Sequence, residues 1–339
     1  MKVRSRWFLG IYFLFIFLLL GFVSGCKRNP NSHSKLSLNS PGGKAIWIAP
    51  DIGAIPHTSE GELIRYGRSL IVNTSWYLGP NGKVASSSNG MNCQNCHLEG
   101  GSKMFGNNYS AVYANYPKYR DRSGKVENIF KRINDCVERS LNGTSLDSNS
   151  REMKAISSYI NWMGHAVPKG KKPQGSGISD LKFLDRAADT VKGHTVYMQY
   201  CRNCHGPEGE GLKKVDATGY IYPPLWGKHS FTTAAGLYRI SRMAGFVADN
   251  MPFGSTHQHP GIAEDKAWDV AAFINSQPRP NKKYPKDWPN LSGKPIDYPF
   301  GPYSDQFSEI QHKYGPFDPV QNARLKESQL VKREESKSH

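Results

Sequence analysis

The pentapeptide pattern Cys-x-x-Cys-His occurs twice, as Cys93-Gln94-Asn95-Cys96-His97 and as Cys201-Arg202-Asn203-Cys204-His205. Two thiols three residues apart reach the two vinyl groups of one porphyrin, and the adjacent histidine then falls beneath the iron as proximal ligand. A zinc knuckle would gather four ligands around one ion. Here the cysteine pairs lie about a hundred residues apart and each carries its own histidine. The spacing predicts two covalently bound haem c groups, one in each half, held by Cys93, Cys96 and His97 and by Cys201, Cys204 and His205.

Both motifs sit in the same local grammar, as an internal duplication would leave them. Helical periodicity precedes each one, over Glu62–Thr74 and Asp189–Tyr200. A second helical pattern closes each half, over Arg151–Met163 and Glu264–Ser276. Helix, motif, loops and closing helix is the order of a small cytochrome c domain. The predicted fold is therefore mainly α, with two class I cytochrome c-like domains in tandem (residues 45–167 and 180–278), each with one covalent haem. The linker 168–179 carries Pro168, Gly170, Pro173, Gly175 and Gly177. Beyond Pro278 the Pro-, Tyr-, Lys- and Gly-rich chain reads as an extended basic C-terminal segment (279–339), charged and mobile from Lys326 onward. Little strand is expected.

Residues 1–26 read as an export signal. Lys2, Arg4 and Arg6 precede an apolar stretch from Trp7 to Val23, too short for a comfortable transmembrane helix. Val23-Ser24-Gly25-Cys26 resembles a bacterial lipobox, with Cys26 as the acylated residue; an uncleaved anchor or a plain signal are the alternatives. Residues 27–44 then form a flexible tether. The body is placed on the periplasmic side of a bacterial envelope, lipid-anchored to a membrane. A net charge of +16 suits an acidic redox partner, a small anion or a membrane surface. An exported haem protein has no use for nucleic acid, so no such partner is expected.

What occupies the sixth position on each iron sets its potential and its task. In the second half Asn250-Met251-Pro252-Phe253-Gly254 places Met251 in a Pro/Gly loop before the closing helix, as a distal ligand should be. Met243 and Met198 compete as core methionines, and His229, His257 and His259 as bis-histidine ligands. The first half has no such loop. Met104, Met153 and Met163 are available, and so is Cys136, on a helix expected over Val126–Leu141. With Cys26 assigned to lipid and four cysteines to haem, Cys136 has no partner for a disulfide within the chain. It is either an inert buried thiol or a thiolate on iron; local sequence leaves both open.

Two segments carry a family resemblance. Tyr116-Pro117-Lys118-Tyr119-Arg120-Asp121-Arg122-Ser123-Gly124-Lys125-Val126-Glu127 is followed by Arg132-Ile133-Asn134-Asp135-Cys136-Val137-Glu138-Arg139-Ser140-Leu141-Asn142-Gly143. Together with Tyr222-Pro223-Pro224-Leu225-Trp226-Gly227 and Asn250-Met251-Pro252, they make residues 60–278 resemble the dihaem thiosulfate dehydrogenases. A related pattern occurs in haem subunits that load sulfur carriers. The resemblance implies a first haem ligated by His97 and Cys136, and a second by His205 and Met251. It also implies active-site roles for Arg122 and Arg132, with Arg139 a weaker candidate for a haem propionate. Some members carry a lysine before the distal methionine; this chain has Asn250, so no Lys/Met exchange is expected.

The implied reaction is the coupling of two thiosulfates to tetrathionate with release of two electrons, or its reverse. Electrons would pass from the first haem to the second and on to a cytochrome c or similar redox partner. Both substrates are dianions that must meet, so the site needs fixed positive charge, which paired arginines supply by forking onto sulfonate oxygens. The competing readings are a non-enzymatic dihaem electron carrier and a sulfur-carrier-loading haem subunit. Cys136 argues against the first, and the second haem domain within one chain argues against the second.

Overall fold

The computed structural model describes residues 46–216 and 218–337; the proposed signal, lipobox Cys26 and the whole of the tether lie outside them. Helix α1 (Ser59–Val72) starts at Thr58, whose hydroxyl accepts from the Gly61 amide, and buries Ile64, Leu70 and Ile71. A short α2 (Thr74–Leu78) follows at once. The first motif forms a 3-10 turn at Cys93–Asn95 and runs into the one-turn α3 (Leu98–Gly101) and α4 (Val112–Asn115). Strands β1 (Lys118–Arg120) and β2 (Lys125–Glu127) pair antiparallel as a small hairpin. Helix α5 (Ile129–Arg139) is capped by the Asn128 side chain, which accepts from the Lys131 amide. It starts later than the sequence predicts because Val126 and Glu127 are spent in β2. Helix α6 (Arg151–Gly164), capped by Ser150, closes the half.

The second half repeats the scheme. Asp189 caps α7 (Thr190–Tyr200), the second motif forms α8 (Arg202–His205), and the short strands β3 (Leu212–Lys213) and β4 (Tyr220–Tyr222) pair beside it. Helix α9 (Ile240–Asn250) delivers Met251 at its C-terminus, and α10 (Glu264–Ser276) closes the half.

Each half has its own core. In the first, α1 and α6 bring together Ile64, Leu70, Ile71, Met153 and Tyr159; in the second, α7, α9 and α10 bring together Val196, Tyr197, Met243, Trp268 and Ile274. Both cores use one device at the crossing of their first and last helices. Gly67 of α1 lies against α6, where a Cβ would stand 1.9 Å from the Ala155 carbonyl oxygen; Gly193 of α7 lies against α10, where it would stand 2.0 Å from that of Asp269. Absent side chains at these positions let two backbones meet.

The C-terminal segment departs from expectation in its second part. From Arg279 to Phe307 it is irregular, apart from a 3-10 turn at Leu291–Gly293, as predicted. It then forms α11 (Glu309–Tyr314) and the twenty-residue α12 (Asp318–Lys337). The stretch from Lys326 is helical because it contains neither Gly nor Pro and is rich in Glu and Lys, which favour helix wherever packing does not decide. Phe317 and Val320 are buried and anchor its start.

The glycine crossing generates a stability prediction. Gly193→Ala forces α7 and α10 apart, and such overpacking costs about 2 kcal/mol, or roughly 4–8 °C in melting temperature. A thermal melt followed by far-UV circular dichroism checks this; an unchanged midpoint would show that the close approach is dispensable.

Candidate active site

The first motif is held by the turn between α1 and α2. The Asn92 side chain accepts from the Ser75 amide (2.8 Å) and hydroxyl (2.9 Å), and the Cys93 amide donates to the Thr74 hydroxyl (2.9 Å). The His97 Nδ1 lies 2.5 Å from the Asn107 carbonyl oxygen. A carbonyl only accepts, so the proton sits on Nδ1 and the Nε2 lone pair is left for a metal. The second motif repeats this, with His205 Nδ1 2.8 Å from the Pro223 carbonyl. Burial lowers the His97 pKa to about 4 and lowers that of His205, so both rings are in the neutral form that ligates. Burial also pushes the thiols up, Cys93 to about 11 and Cys96 and Cys201 to about 12. Such thiols are poor redox nucleophiles but well placed to carry thioethers.

Cys93, Cys96 and His97 open onto a cavity of about 310 Å³. Ile71, Leu78, Ile133, Ile156 and Ile160 supply apolar wall from the first half. The linker adds Ile178, and the second half adds Phe231, Leu237, Arg239 and Arg242. Two cross-half hydrogen bonds hold the Phe231 loop there: Asn89 Nδ2 to the Ser230 carbonyl (3.0 Å) and the Thr232 hydroxyl to the Arg139 carbonyl (2.6 Å). An apolar wall, two thiols and a neutral imidazole suit a haem.

Cys136 lines the same cavity, on α5, one turn after Arg132. Charge interaction with Cys136 is the largest influence on Arg132 and raises its pKa, and Arg132 in turn helps to lower that of His97. Met153 and Met163 instead fill the first core, and the Met104 side chain packs against Gly175. Of the sulfurs that the sequence left open, Cys136 is the one on the cavity wall.

Six arginines face this cavity: Arg120, Arg122, Arg132, Arg139, Arg239 and Arg242. Three are neutralised by carboxylates. Arg139 makes a bidentate pair with Asp287 (2.6 and 2.8 Å) and reaches Asp135 with Nε (3.3 Å). Each of its three guanidinium nitrogens thus holds a carboxylate oxygen. Arg239 pairs with the buried Asp297 and Arg242 with Asp180 (3.0 Å). Among the described residues, Arg120, Arg122 and Arg132 have no carboxylate within ion-pair distance. Arg122 sits in the β1–β2 turn with its Nε buried and without a hydrogen-bond partner. Burial, then repulsion by Arg139, lowers its pKa.

In the second half Met251 is half-buried against the core, and its amide closes α9 by donating to Val247 (2.9 Å). Met243 is core and His229 and His259 are exposed. His257 is taken by Asp249 (2.9 Å) and stacks on Phe105 at 4.2 Å. The Met251 loop also touches the first half: Asn250 Nδ2 donates to the Phe105 carbonyl (3.2 Å) and Lys103 Nζ to the Ser255 carbonyl (3.0 Å).

Sequence reasoning missed Arg239, Arg242 and their acidic partners. Arg239 and Asp297 are 58 residues apart, and nothing local marks them. It also missed the hairpin, whose signal was present in Asp121-Arg122-Ser123-Gly124, a turn composition between two short polar and aromatic runs.

Fold and site define a dihaem c-type cytochrome, two cytochrome c domains in tandem with two covalent haem c groups and hence an extracytoplasmic protein. The SoxA/TsdA cytochrome c domain family matches residues 83–168, and the family described as cytochrome c oxidase, cbb3-type, subunit III matches residues 188–274. The thiosulfate dehydrogenase of Stutzerimonas stutzeri is 33% identical over 285 residues, covering 80% of this chain and 90% of that one. That of Psychrobacter arcticus is 37% identical over 250 residues, covering 73% of each. The solved thiosulfate dehydrogenase of Marichromatium purpuratum, in its "as isolated" form, superposes with a TM-score of 0.62 at 30% identity over 68% of this chain. This chain spans 49% of that one, about half its length. The chain belongs to the thiosulfate dehydrogenase family.

Proposed function

We propose that the chain interconverts thiosulfate and tetrathionate in the cavity of the first half and exchanges the electrons with an external redox partner through the second. One observation carries the reading: Arg122 and Arg132, without carboxylate partners among the described residues, line the same cavity as Cys136 and His97. A pure electron carrier has no use for uncompensated charge around a thiolate.

The first haem would be held by Cys93, Cys96 and His97, with Cys136 as its distal ligand, and the second by Cys201, Cys204, His205 and Met251. When bound, the two haems supply one-electron acceptors for the two electrons of the reaction. The arginines fork onto sulfonate oxygens and offset the repulsion between two dianions. Cys136 serves as the covalent handle. Its thiolate bonds the outer sulfur of one thiosulfate, losing two electrons in all, to give Cys136-S–S–SO3⁻. A second thiosulfate then attacks the sulfane sulfur of this adduct, forming tetrathionate and returning the thiolate. In reverse, the thiolate attacks an inner sulfur of tetrathionate and expels thiosulfate, an ordinary thiol–disulfide exchange. Lipid anchorage through Cys26 to a bacterial membrane, with the body facing the periplasm, belongs to the same reading and rests on the Val23–Cys26 pattern.

Arg122→Ala and Arg132→Ala each remove a charge-assisted contact of about 1.5–3 kcal/mol, so steady-state turnover of thiosulfate should fall roughly ten- to a hundredfold with unchanged haem spectra. Wild-type kinetics in both would make the arginines structural. Cys136→Gly should abolish turnover in both directions while both haems stay attached. Cys136→Met keeps a sulfur ligand without a nucleophile; a near wild-type rate in this variant would reduce Cys136 to a ligand. Met251→Gly should remove the far-red sulfur-to-iron absorption band of the ferric protein, and persistence of that band would take Met251 out of the coordination sphere.

A further inference from the structure

The segment after Pro278 lies outside both matched cytochrome c domains, yet it reaches the cavity's charged wall. Arg122 is carried by the turn of the β1–β2 hairpin, two strands of three residues each. An isolated hairpin of that size is marginal at best, and this one leaves Tyr119 and Val126 exposed. By itself it cannot aim a guanidinium.

The C-terminal segment supplies what the hairpin lacks. The Trp288 amide donates to the Arg122 carbonyl at 2.7 Å, and the Trp288 ring lies under the Arg122 guanidinium, 5.5 Å from ring centroid to Cζ. Gly124 is fitted against Pro289, where a Cβ would stand 2.6 Å from the proline Cγ. Trp288 is buried, packs edge-to-face on Tyr298 (5.2 Å) and adopts a left-handed backbone, φ 61°. A bulky residue takes that conformation only where its surroundings impose it. The segment is anchored on both haem halves, by Asp287 to Arg139 of α5 and by Asp297 to Arg239 beside α9.

We infer that this segment is a strap that aims the cavity arginines, and that Trp288 is the positioning residue for Arg122. The physical point is the kind of contact. A carboxylate would hold Arg122 but cancel its charge, as Asp287 does for Arg139. An indole face within about 6 Å attracts a guanidinium while leaving its charge and its donors available. The strap thus holds one arginine ready for an anion and neutralises its neighbour. The inference deepens the proposed function and rests on the substrate role of Arg122.

The test measures KM and kcat for thiosulfate on the purified dihaem protein with an artificial electron acceptor, for Trp288→Leu and Trp288→Phe in the native and Arg122→Ala backgrounds. Trp288→Leu should raise KM about tenfold with kcat changed less than about twofold and haem spectra unchanged. Trp288→Phe, which keeps a π face, should stay within about threefold of wild type. In the Arg122→Ala background Trp288→Leu should add less than about twofold, because the residue it positions is gone. An equal loss in both backgrounds, or a silent Trp288→Leu beside a damaging Arg122→Ala, overturns the strap and leaves the substrate role of Arg122 standing. A silent Arg122→Ala removes that role and the inference with it. Should Trp288→Leu not accumulate as dihaem protein, Trp288→Met, with bulk but no π face, carries the same test, and wild-type KM in it overturns the inference.

Discussion

Six arginines line one cavity together with isoleucine and leucine, and buried positive charge cannot be left there unanswered. Removing an ion from water costs several kcal/mol even after relaxation, so each arginine must be met by an opposite charge, a polarisable face or a ligand. Asp135, Asp287, Asp297 and Asp180 answer three of the six. These carboxylates come from α5, from the first residue of the second half and from the C-terminal segment. Much of the long-range architecture follows from that need. The segment from Arg279 to Phe307 has almost no regular structure of its own; it is pinned by ion pairs, by the buried Trp288 and by Ile296 and Phe300 packed on the second core.

The same cavity explains why the two halves cannot be read as independent beads. Its wall is completed by Phe231 and Leu237 of the second half. The Asn107 carbonyl that fixes the His97 tautomer belongs to the loop whose Phe105 carbonyl accepts from Asn250. Phe105 and Asn107 both hold positive φ, 54° and 59°, so this loop has a defined shape rather than a tolerant one. A displacement of the Met251 loop is therefore felt two residues from the contact that orients the first histidine. Hydrogen bonds of this kind, outside the ligands themselves, tune a metal site.

What was legible in the sequence is what local chemistry writes. Cys-x-x-Cys-His, the periodicity of the four framing helices and the position of Cys136 on a helix all depend on residues within a few turns of each other. The hairpin under Arg122 was partly legible, since Asp121-Arg122-Ser123-Gly124 has turn composition. The strap was not. The partners Arg139 and Asp287 are 148 residues apart, and nothing local to either residue marks the other as its partner. Trp288 reads as one more aromatic in a proline-rich run until its ring is seen beneath Arg122. Helix α12 was misread for another reason: charge density was taken for mobility, although a Glu- and Lys-rich chain without Gly or Pro is a good helix former.

Arg122 and Arg132, two of the three cavity arginines without carboxylate partners among the described residues, are delivered by elements of very different stiffness, and this orders the site. Arg132 and Cys136 are four residues apart on α5 and share a face. The helix is capped by Asn128 and its far end is locked through Arg139 by two aspartates. Nucleophile and first charge are thus set by one rigid body, and on the proposed mechanism the substrate sulfur must come to Cys136 rather than the reverse. Arg122 approaches from a hairpin too small to hold itself. A site that must bring two dianions together needs at least one charge placed independently of the nucleophile, because a single helix presents only one face. A helix can hold its own arginine; a turn cannot, and needs a wall brought from elsewhere in the chain. Such a wall keeps the charge intact only if it is aromatic, which accounts for a tryptophan in a strained backbone at a place where a carboxylate would have been the commoner partner for an arginine.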